Sequence, residues 1–306
     1  MAFYSSQLGG IVTDPALMVI PFDDHMVHRG HGIFDTAIII DGKIYELEAH
    51  LDRFLRSAES SKLHPRFTRS EMREIIVQTA AMSGERNAFI RYWLSSGTGT
   101  LGLAPAKDAE YGFFILIHEI TSYPESYYSV GMRVMTTSLP IKPSLYANTK
   151  STNYLPNVLM HLEAKENGFD SGVFVDMNGN VGEGTNMNVA FVTKEGILKH
   201  PRFDNILSGC TVQRMFELAS RLIEGGLLKG IEIRDISVKE GRRSTEMMFF
   251  GSSIQIAPIV EWDGKMIGDG KPGPVAKALR NLLYQDRHSE DGPLIEIPYG
   301  SSKSTS

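Results

Sequence analysis

YANTKSTNYLPNVLMHLEAKENG, residues 146–168, decides how this chain is read. Lys150 sits in the polar run Asn148-Thr149-Lys150-Ser151-Thr152-Asn153, and Pro156 then opens an amphipathic helix whose Leu155, Val158, Leu159 and Leu162 share one face. The spacing predicts the lysine on a turn just ahead of a helix start, with proline favoured at the first helical position and Gly168 as the stop. An amine sheltered from water there gives up its proton more readily and can attack a carbonyl to form a Schiff base. A lysine in a polar loop is also an ordinary solvated charge, so the rest of the chain has to decide.

Composition narrows the classes. With 306 residues, 42% hydrophobic and 22% charged, the chain has the make-up of a globular protein large enough for two domains. A net charge of -5 leaves no basic footprint for nucleic acid. Cys210 is the single cysteine, which excludes an internal disulfide framework and fits a reducing compartment. There is no Asn-x-Ser/Thr acceptor and no run of about 18 apolar residues that would span a bilayer, so no membrane partner is expected. The N-terminus has neither a secretory nor a transit signature. This reads as a cytoplasmic protein, or as a plastid one in its trimmed form.

Working outward, strand-like runs at Leu17–Phe22, Gly32–Ile40 and Lys43–Leu47 come first, the last two joined by the hairpin signal Asp41-Gly42. HLDRFLRSAESSKL repeats Leu51, Leu55 and Ala58 at helical spacing, and Thr68 with Glu71 forms a capping box for a second helix ending at Gly84. Two apolar runs, Ala88–Leu94 and Gly112–His118, read as buried strands. Residues 1–118 are therefore expected as a small α+β domain, 119–131 as a connector, 132–299 as a larger domain and 300–306 as a disordered tail. In the larger domain, strands are predicted at 132–139, 172–175, 181–183, 188–193, 197–200, 231–238 and 247–251. Helices are predicted at 211–224, with Val212, Met215, Phe216, Ala219 and Ile223 inward, and at 274–285.

Several stretches carry chemistry. GTGTLG, residues 97–102, matches a dinucleotide fingerprint, but the proline-bearing Leu103–Asp108 that follows is too short for the helix such a motif requires. It reads as a flexible glycine loop. In ILSGCTVQRMF, Ser208 and Gly209 precede a clear helix, so the N–H groups of Cys210 and Thr211 can meet an anion; the same pattern is also ordinary capping. Gly251-Ser252-Ser253 offers a second small turn with hydroxyl and N–H donors. Glu183, between two glycines in VGEGTNMNVAFV, is either a solvated turn residue or the partner of a buried cation. Arg53 is either a surface ion pair or a phosphate clamp. His25, His28 and His31 cluster in HMVHRGHG without the cysteines or carboxylates that a metal site would add, so no metal is expected.

Taken in order, HRGHGIFDT, HLDRF, KSTNYLPNV, EGTNMNVAFV, ILSGCT and GSS with APIVEWDG resemble the class IV, or fold type IV, pyridoxal-phosphate aminotransferases from about Leu17 to Gln285. That family includes D-amino-acid transaminases, branched-chain aminotransferases, (R)-amine transaminases and aminodeoxychorismate lyases. The wording is most similar to a plant branch holding D-amino-acid transaminases and aminodeoxychorismate lyases. The resemblance implies an α+β, two-domain fold with a small N-terminal domain and a larger C-terminal pseudo-barrel domain, assembled as a homodimer around pyridoxal 5'-phosphate.

Carried over by residue, it makes Lys150 the internal-aldimine lysine and the catalytic base, and Glu183 the partner of the pyridinium nitrogen. Arg53, the Cys210 and Thr211 backbone, and Ser252 and Ser253 become the phosphate cup, and Ser208 and Gly209 belong to the cofactor-binding set. Asn188 joins the cofactor set, and Tyr154 reaches the ring hydroxyl. His31, Phe34, Arg91, Trp93 and Arg29 line the substrate pocket. One departure matters: bacterial D-amino-acid transaminases have an arginine in a T-R-G stretch, where this chain reads Ser95-Ser96-Gly97. Arg91 or Arg29 then has to hold the substrate carboxylate. The implied activity is transfer of the amino group of a D-amino acid to a 2-oxo acid, 2-oxoglutarate or pyruvate, by a ping-pong mechanism. Rivals are an aminodeoxychorismate lyase, a branched-chain or (R)-amine transaminase, a nicotinamide-dependent dehydrogenase using the glycine loop, and a binding protein on the same fold.

Overall fold

The computed structural model describes residues 1–300; residues 301–306, most of the expected disordered tail, lie outside the described residues. Two compact units emerge. The first comprises Met1–Thr121, Thr149–Thr152 and the described residues from Arg287, and the second Ser122–Asn148 and Asn153–Asp286.

The first unit begins with β1 (Ala2–Ser5) and β2 (Gly10–Val12), which the sequence reading did not anticipate, then a short helix α1 (His25–Arg29). The strand expected at Leu17–Phe22 is absent. Asp14 caps a single 3-10 turn at Pro15–Leu17, and Pro15 and Pro21 deny this stretch ladder donors. Next come β3 (Gly32–Ile40), β4 (Lys43–Tyr45), α2 (Leu47–Ser60), α3 (Arg69–Ser83), β5 (Ala88–Ser95) and β6 (Gly112–His118). Helix α2 starts earlier than expected and takes Leu47 from the predicted strand. Its Leu47, Leu51, Phe54 and Ala58, spaced 4, 3 and 4 apart, are all buried. Helix α3 has the expected capping box, Thr68 with Glu71, and ends at Gly84 in the left-handed region, φ 70°.

With β16 (Leu294–Glu296), these strands form one sheet in the order β16-β4-β3-β5-β6-β1-β2, every pair antiparallel. Alternation along β3 and β5 sends Ile33, Ala37, Tyr92 and Leu94 into a core with Leu51, Phe54 and Ile76 of the helices. Phe34, Thr36, Arg91 and Trp93 point to the opposite face, paired Phe34 with Trp93 and Thr36 with Arg91. The glycine stretch 97–102 leads through a loop into β6 rather than a helix, so the antiparallel sheet offers it no pyrophosphate seat.

The second unit holds α4 (Ser126–Ser129), β7 (Met132–Thr136), α5 (Ser144–Ala147), α6 (Leu155–Glu166), β8 (Ser171–Val175), β9 (Val181–Gly184), β10 (Asn188–Val192) and β11 (Ile197–His200). It continues with α7 (Cys210–Glu224), β12 (Gly230–Ile233), α8 (Val238–Gly241), β13 (Glu246–Gly251), β14 (Gln255–Trp262), β15 (Lys265–Met266) and α9 (Pro274–His288). Its nine strands make a mixed sheet, β12-β11-β10-β13-β14-β7-β8-β9 with β15 beside β14. The sheet curls into a pseudo-barrel, and the Gly184 N–H donates to Met187 C=O at 2.8 Å where β9 meets the approach to β10. Strand β14 was not among the predicted strands; its Pro258 sits within the ladder opposite Met248.

One helix face differs from expectation, and a second takes a direction that the sequence left open. On α7, Val212, Met215 and Ala219 are buried as predicted, but Ile223 in the last turn is 37% exposed. Helix α6 presents Asn157, Met160 and Ala164 inward, and the apolar stripe Leu155, Val158, Leu159 and Leu162 outward. Gly172 on β8 explains the choice, since a Cβ there would collide with the Met160 side chain, so the bare strand seats that methionine.

Candidate active site

Lys150 stands not on a turn but on an extended stub laid against β3. Ser151 forms an antiparallel bridge with Ile33, the Phe34 N–H donates to Lys150 C=O at 3.0 Å, and the Thr152 N–H donates to Gly32 C=O at 2.9 Å. From α2, the Ser57 hydroxyl accepts the Lys150 N–H at 3.2 Å. The backbone is thus pinned on both sides, and the half-buried side chain carries its Nζ 4.7 Å from the centre of the Phe34 ring.

One turn along α2, Arg53 is buried against a carboxylate that the sequence reading did not single out. Asp35 is fully buried on β3; its Oδ2 accepts from Arg53 Nε at 2.9 Å and its Oδ1 from Nη2 at 2.6 Å. His50, three residues before Arg53, donates from Nδ1 to Asp35 Oδ1 at 2.8 Å. Burial alone would raise the Asp35 pKa, but the Arg53 and His50 charges and hydrogen bonds hold it well below the usual carboxylate range. Arg53 is therefore no surface ion pair; its planar fork is fixed in orientation.

The candidate pocket residues separate. Phe34, Trp93 and the exposed Arg91 share the sheet face away from the helices. His31 is engaged elsewhere, Nε2 donating to Ser61 C=O at 2.9 Å and Nδ1 lying 3.3 Å from His25 Nδ1. Arg29 donates to the carbonyls of Leu101 at 2.8 Å and Gly102 at 3.2 Å, so it clamps the glycine loop. Among the described residues, no group of three His, Cys, Asp or Glu is arranged to hold a metal ion.

In the second unit Glu183 is buried at the end of β9, and its Oε2 accepts the Leu207 N–H at 3.1 Å. Lys142, another residue the sequence reading passed over, brings Nζ to 3.8 Å from Glu183 Oε1 and 5.4 Å from the centre of the Tyr154 ring. A solvated turn carboxylate this is not.

The anion-ready end is α7. Gly209 is its N-cap and brings no capping side chain of its own, and the N–H groups of Cys210 and Thr211 belong to the first turn, where the helix dipole favours negative charge. Asn188 of β10 donates from Nδ2 to Leu207 C=O at 2.8 Å and holds the approach to this helix. A Cβ on Gly209 would run into Asn188 Oδ1, which makes the bare backbone a packing requirement. Ser208 Oγ accepts from Gln213 Nε2 at 3.0 Å, while the Thr211 hydroxyl lies 3.4 Å from that of Ser252, in the turn that also carries Ser253. Helix end, hydroxyls and bare glycine are the donor types that an anion such as a phosphate calls for.

Comparison with known proteins identifies the family. The model of the amino-transferase class IV family matches residues 32–262. A D-amino-acid transaminase, chloroplastic, from Arabidopsis thaliana is 47% identical over 98% of this chain and 80% of its own length. A putative branched-chain-amino-acid aminotransferase from Methanocaldococcus jannaschii is 30% identical over 92% of this chain and 95% of its own. The crystal structure of a T.th. branched-chain amino acid aminotransferase with pyridoxamine 5'-phosphate superposes with a TM-score of 0.89 at 23% identity, covering 97% of this chain and 98% of that one, which shows the shared fold. The chain belongs to the class IV aminotransferases, enzymes that work with pyridoxal 5'-phosphate. Its residues fit that cofactor: an anchored amine, a buried carboxylate, and a helix end with hydroxyls for the phosphate.

Two of the missed residues had different visibility in the sequence. Asp35 interrupts the apolar strand GIFDTAIII, and a charge there demands a buried partner, so it was discoverable. Lys142, in a Pro-Ile-Lys-Pro loop, carried no signal.

Proposed function

We propose that this enzyme transfers the amino group of D-amino acids to a 2-oxo acid, 2-oxoglutarate or pyruvate, in two half-reactions of ping-pong type. The D-substrate preference is supported by the 47% identity to the Arabidopsis transaminase. The observation that carries the chemistry is the anchoring of Lys150, whose backbone is tied at 3.0 and 3.2 Å while its amine lies over the Phe34 ring.

Bound, pyridoxal phosphate supplies an electron sink for the charge that develops at the substrate Cα. Lys150 would be the base that takes the proton from that Cα. Glu183 would serve the ring nitrogen and Tyr154 the ring hydroxyl, while Asn188 holds the loop leading to α7. Arg53, Ser208, Gly209, Cys210, Thr211, Ser252 and Ser253 hold the phosphate. Phe34 and Trp93 exclude water from the substrate. Arg91 takes the substrate carboxylate, because it stands exposed on the Phe34 face whereas Arg29 and His31 are committed to backbone carbonyls.

A homodimer is part of the reading. Leu155, Val158, Leu159 and Leu162 on α6 are 66, 50, 42 and 49% exposed, a stripe that a second copy would cover. No helix among the described residues is long and apolar enough to cross a membrane. A plastid address is favoured by the name of the Arabidopsis relative.

The test is a visible absorption spectrum of the purified, reconstituted protein, recorded with D- and L-amino acids in the absence of any 2-oxo acid. Bleaching of the bound-cofactor band by D-amino acids alone is expected. Bleaching by L-branched-chain acids would move the enzyme to the branched-chain group, and pyruvate release from aminodeoxychorismate without an amino acceptor would make it a lyase.

A further inference from the structure

We propose that Lys142 is a positioning residue for Glu183, a fixed cation beside the carboxylate that tempers its grip on the protonated cofactor ring. The inference rests on the assignment of Glu183 to the ring nitrogen. Everything that places Lys142 lies within the second unit.

Glu183 sits between Gly182 and Gly184, and each bare glycine admits a neighbour. A Cβ on Gly182 would meet Ile141 Cδ1, and one on Gly184 would meet the Phe249 ring. The first of these contacts brings the Pro140-Ile141-Lys142-Pro143 loop in against β9, with prolines at both ends limiting its backbone freedom. Lys142 is delivered with its side chain only 11% exposed, beside a Glu183 side chain at 7%.

The spacing of 3.8 Å is an ion-pair distance but longer than a hydrogen bond, so the attraction is Coulombic and leaves the carboxylate oxygens for other donors. Leu207 N–H occupies Oε2 from the loop before α7, and Tyr154, at the N-terminus of α6, lies against Lys142 with its ring 5.4 Å from Nζ. Loop, β9 and α6 therefore converge on one cation and one anion. Removing a lysine from water is costly unless it serves an anion, and here the anion is the group assigned to the ring.

The consequence follows from charge. A pyridinium at Glu183 shares its counter-ion with Lys142, so each cation weakens the hold of the carboxylate on the other. Loss of the lysine charge strengthens the hold of Glu183 on the ring, and protonated forms of the bound cofactor persist to higher pH.

The experiment titrates the visible band of the reconstituted protein against pH for wild type, Lys142→Met and Lys142→Arg, with thermal unfolding as a check on folding. Lys142→Met keeps the aliphatic stem and is expected to move the midpoint upward by about one pH unit, the scale of a single nearby charge. Lys142→Arg keeps the charge and is expected to titrate close to wild type. A Lys142→Met midpoint equal to wild type, or a Lys142→Arg shift as large as that of Lys142→Met, would overturn the proposal, since a packing role moves stability and not the midpoint. If Lys142→Met does not fold, Lys142→Gln takes its place with the same expectation. Absence of any band in reconstituted wild type would instead overturn the cofactor assignment itself, and this inference with it.

Discussion

Arg53 grips Asp35 through two hydrogen bonds, Nε to Oδ2 at 2.9 Å and Nη2 to Oδ1 at 2.6 Å, with both side chains out of water. Breaking such a pair strands a buried charge. Asp35→Asn is expected to cost about 3–5 kcal/mol in denaturant unfolding, the usual penalty for an orphaned buried ion. It should also weaken pyridoxal phosphate more than pyridoxal, because the guanidinium assigned to the phosphate loses its orientation. Because the Asp35 pKa is depressed in the folded state, the stability of the pair is present above the unfolded value of about 3.9 and is lost only as pH falls below it.

Lys150→Ala removes the amine but leaves the stub tied to β3 through its backbone. Turnover should fall by at least about 10²–10⁴-fold, the contribution of positioned proton transfer alone. Cofactor affinity, measured by equilibrium dialysis, should be reduced but retained.

Gly209→Ala tests the cradle. Its φ of -70° is open to any residue, so only space is at issue, and the added Cβ meets Asn188 Oδ1. A loss of about 1–3 kcal/mol of stability is expected from overpacking, with weaker cofactor binding. Shortening the neighbour, in Gly209→Ala with Asn188→Ala, should relieve the clash but not restore the Leu207 contact.

His200 makes the protein acid-sensitive. It is fully buried between Phe203 and Phe216, and burial lowers its pKa to about 4 from 6.5, despite its hydrogen bond to Pro201 C=O. The unfolded chain binds the proton first, so stability is whole above pH 6.5 and declines as pH falls toward 4. The full span corresponds to about 3 kcal/mol. Chemical denaturation at pH 7 and pH 4.5 should show most of that loss in wild type and less of it in His200→Phe.

The α6 stripe gives an assembly test. Leu159→Glu with Leu162→Glu alters side chains that are already 42% and 49% exposed, so the monomer fold should survive. Sedimentation velocity should then show a dimer for wild type and a monomer for the variant. A dimeric variant would place the interface elsewhere.

Much of the local structure was legible. The Thr68–Glu71 capping box, the Asp41-Gly42 turn and the Gly112–His118 strand follow from short-range rules of capping, positive φ and apolar runs, and the structure has each of them. The failures were equally physical. Helical period shows that Leu155, Val158, Leu159 and Leu162 share a face but not which way it points; Gly172, which receives Met160, set the direction. Strand β14 was missed although it carries Pro258 within its ladder, since the cost of a proline depends on where in the ladder it falls.

What the sequence determined by itself is the family, through six motifs in order, and it proposed an amine, a carboxylate and phosphate donors for the site. Only the tertiary structure decided how they are held. It laid Lys150 along β3, fixed Arg53 on Asp35 and set Lys142 beside Glu183, partners separated by between 18 and more than 90 positions along the chain. Local rules act over a few residues, whereas a buried charge is satisfied by whatever the fold brings to it, and that pairing exists only once the chain has closed.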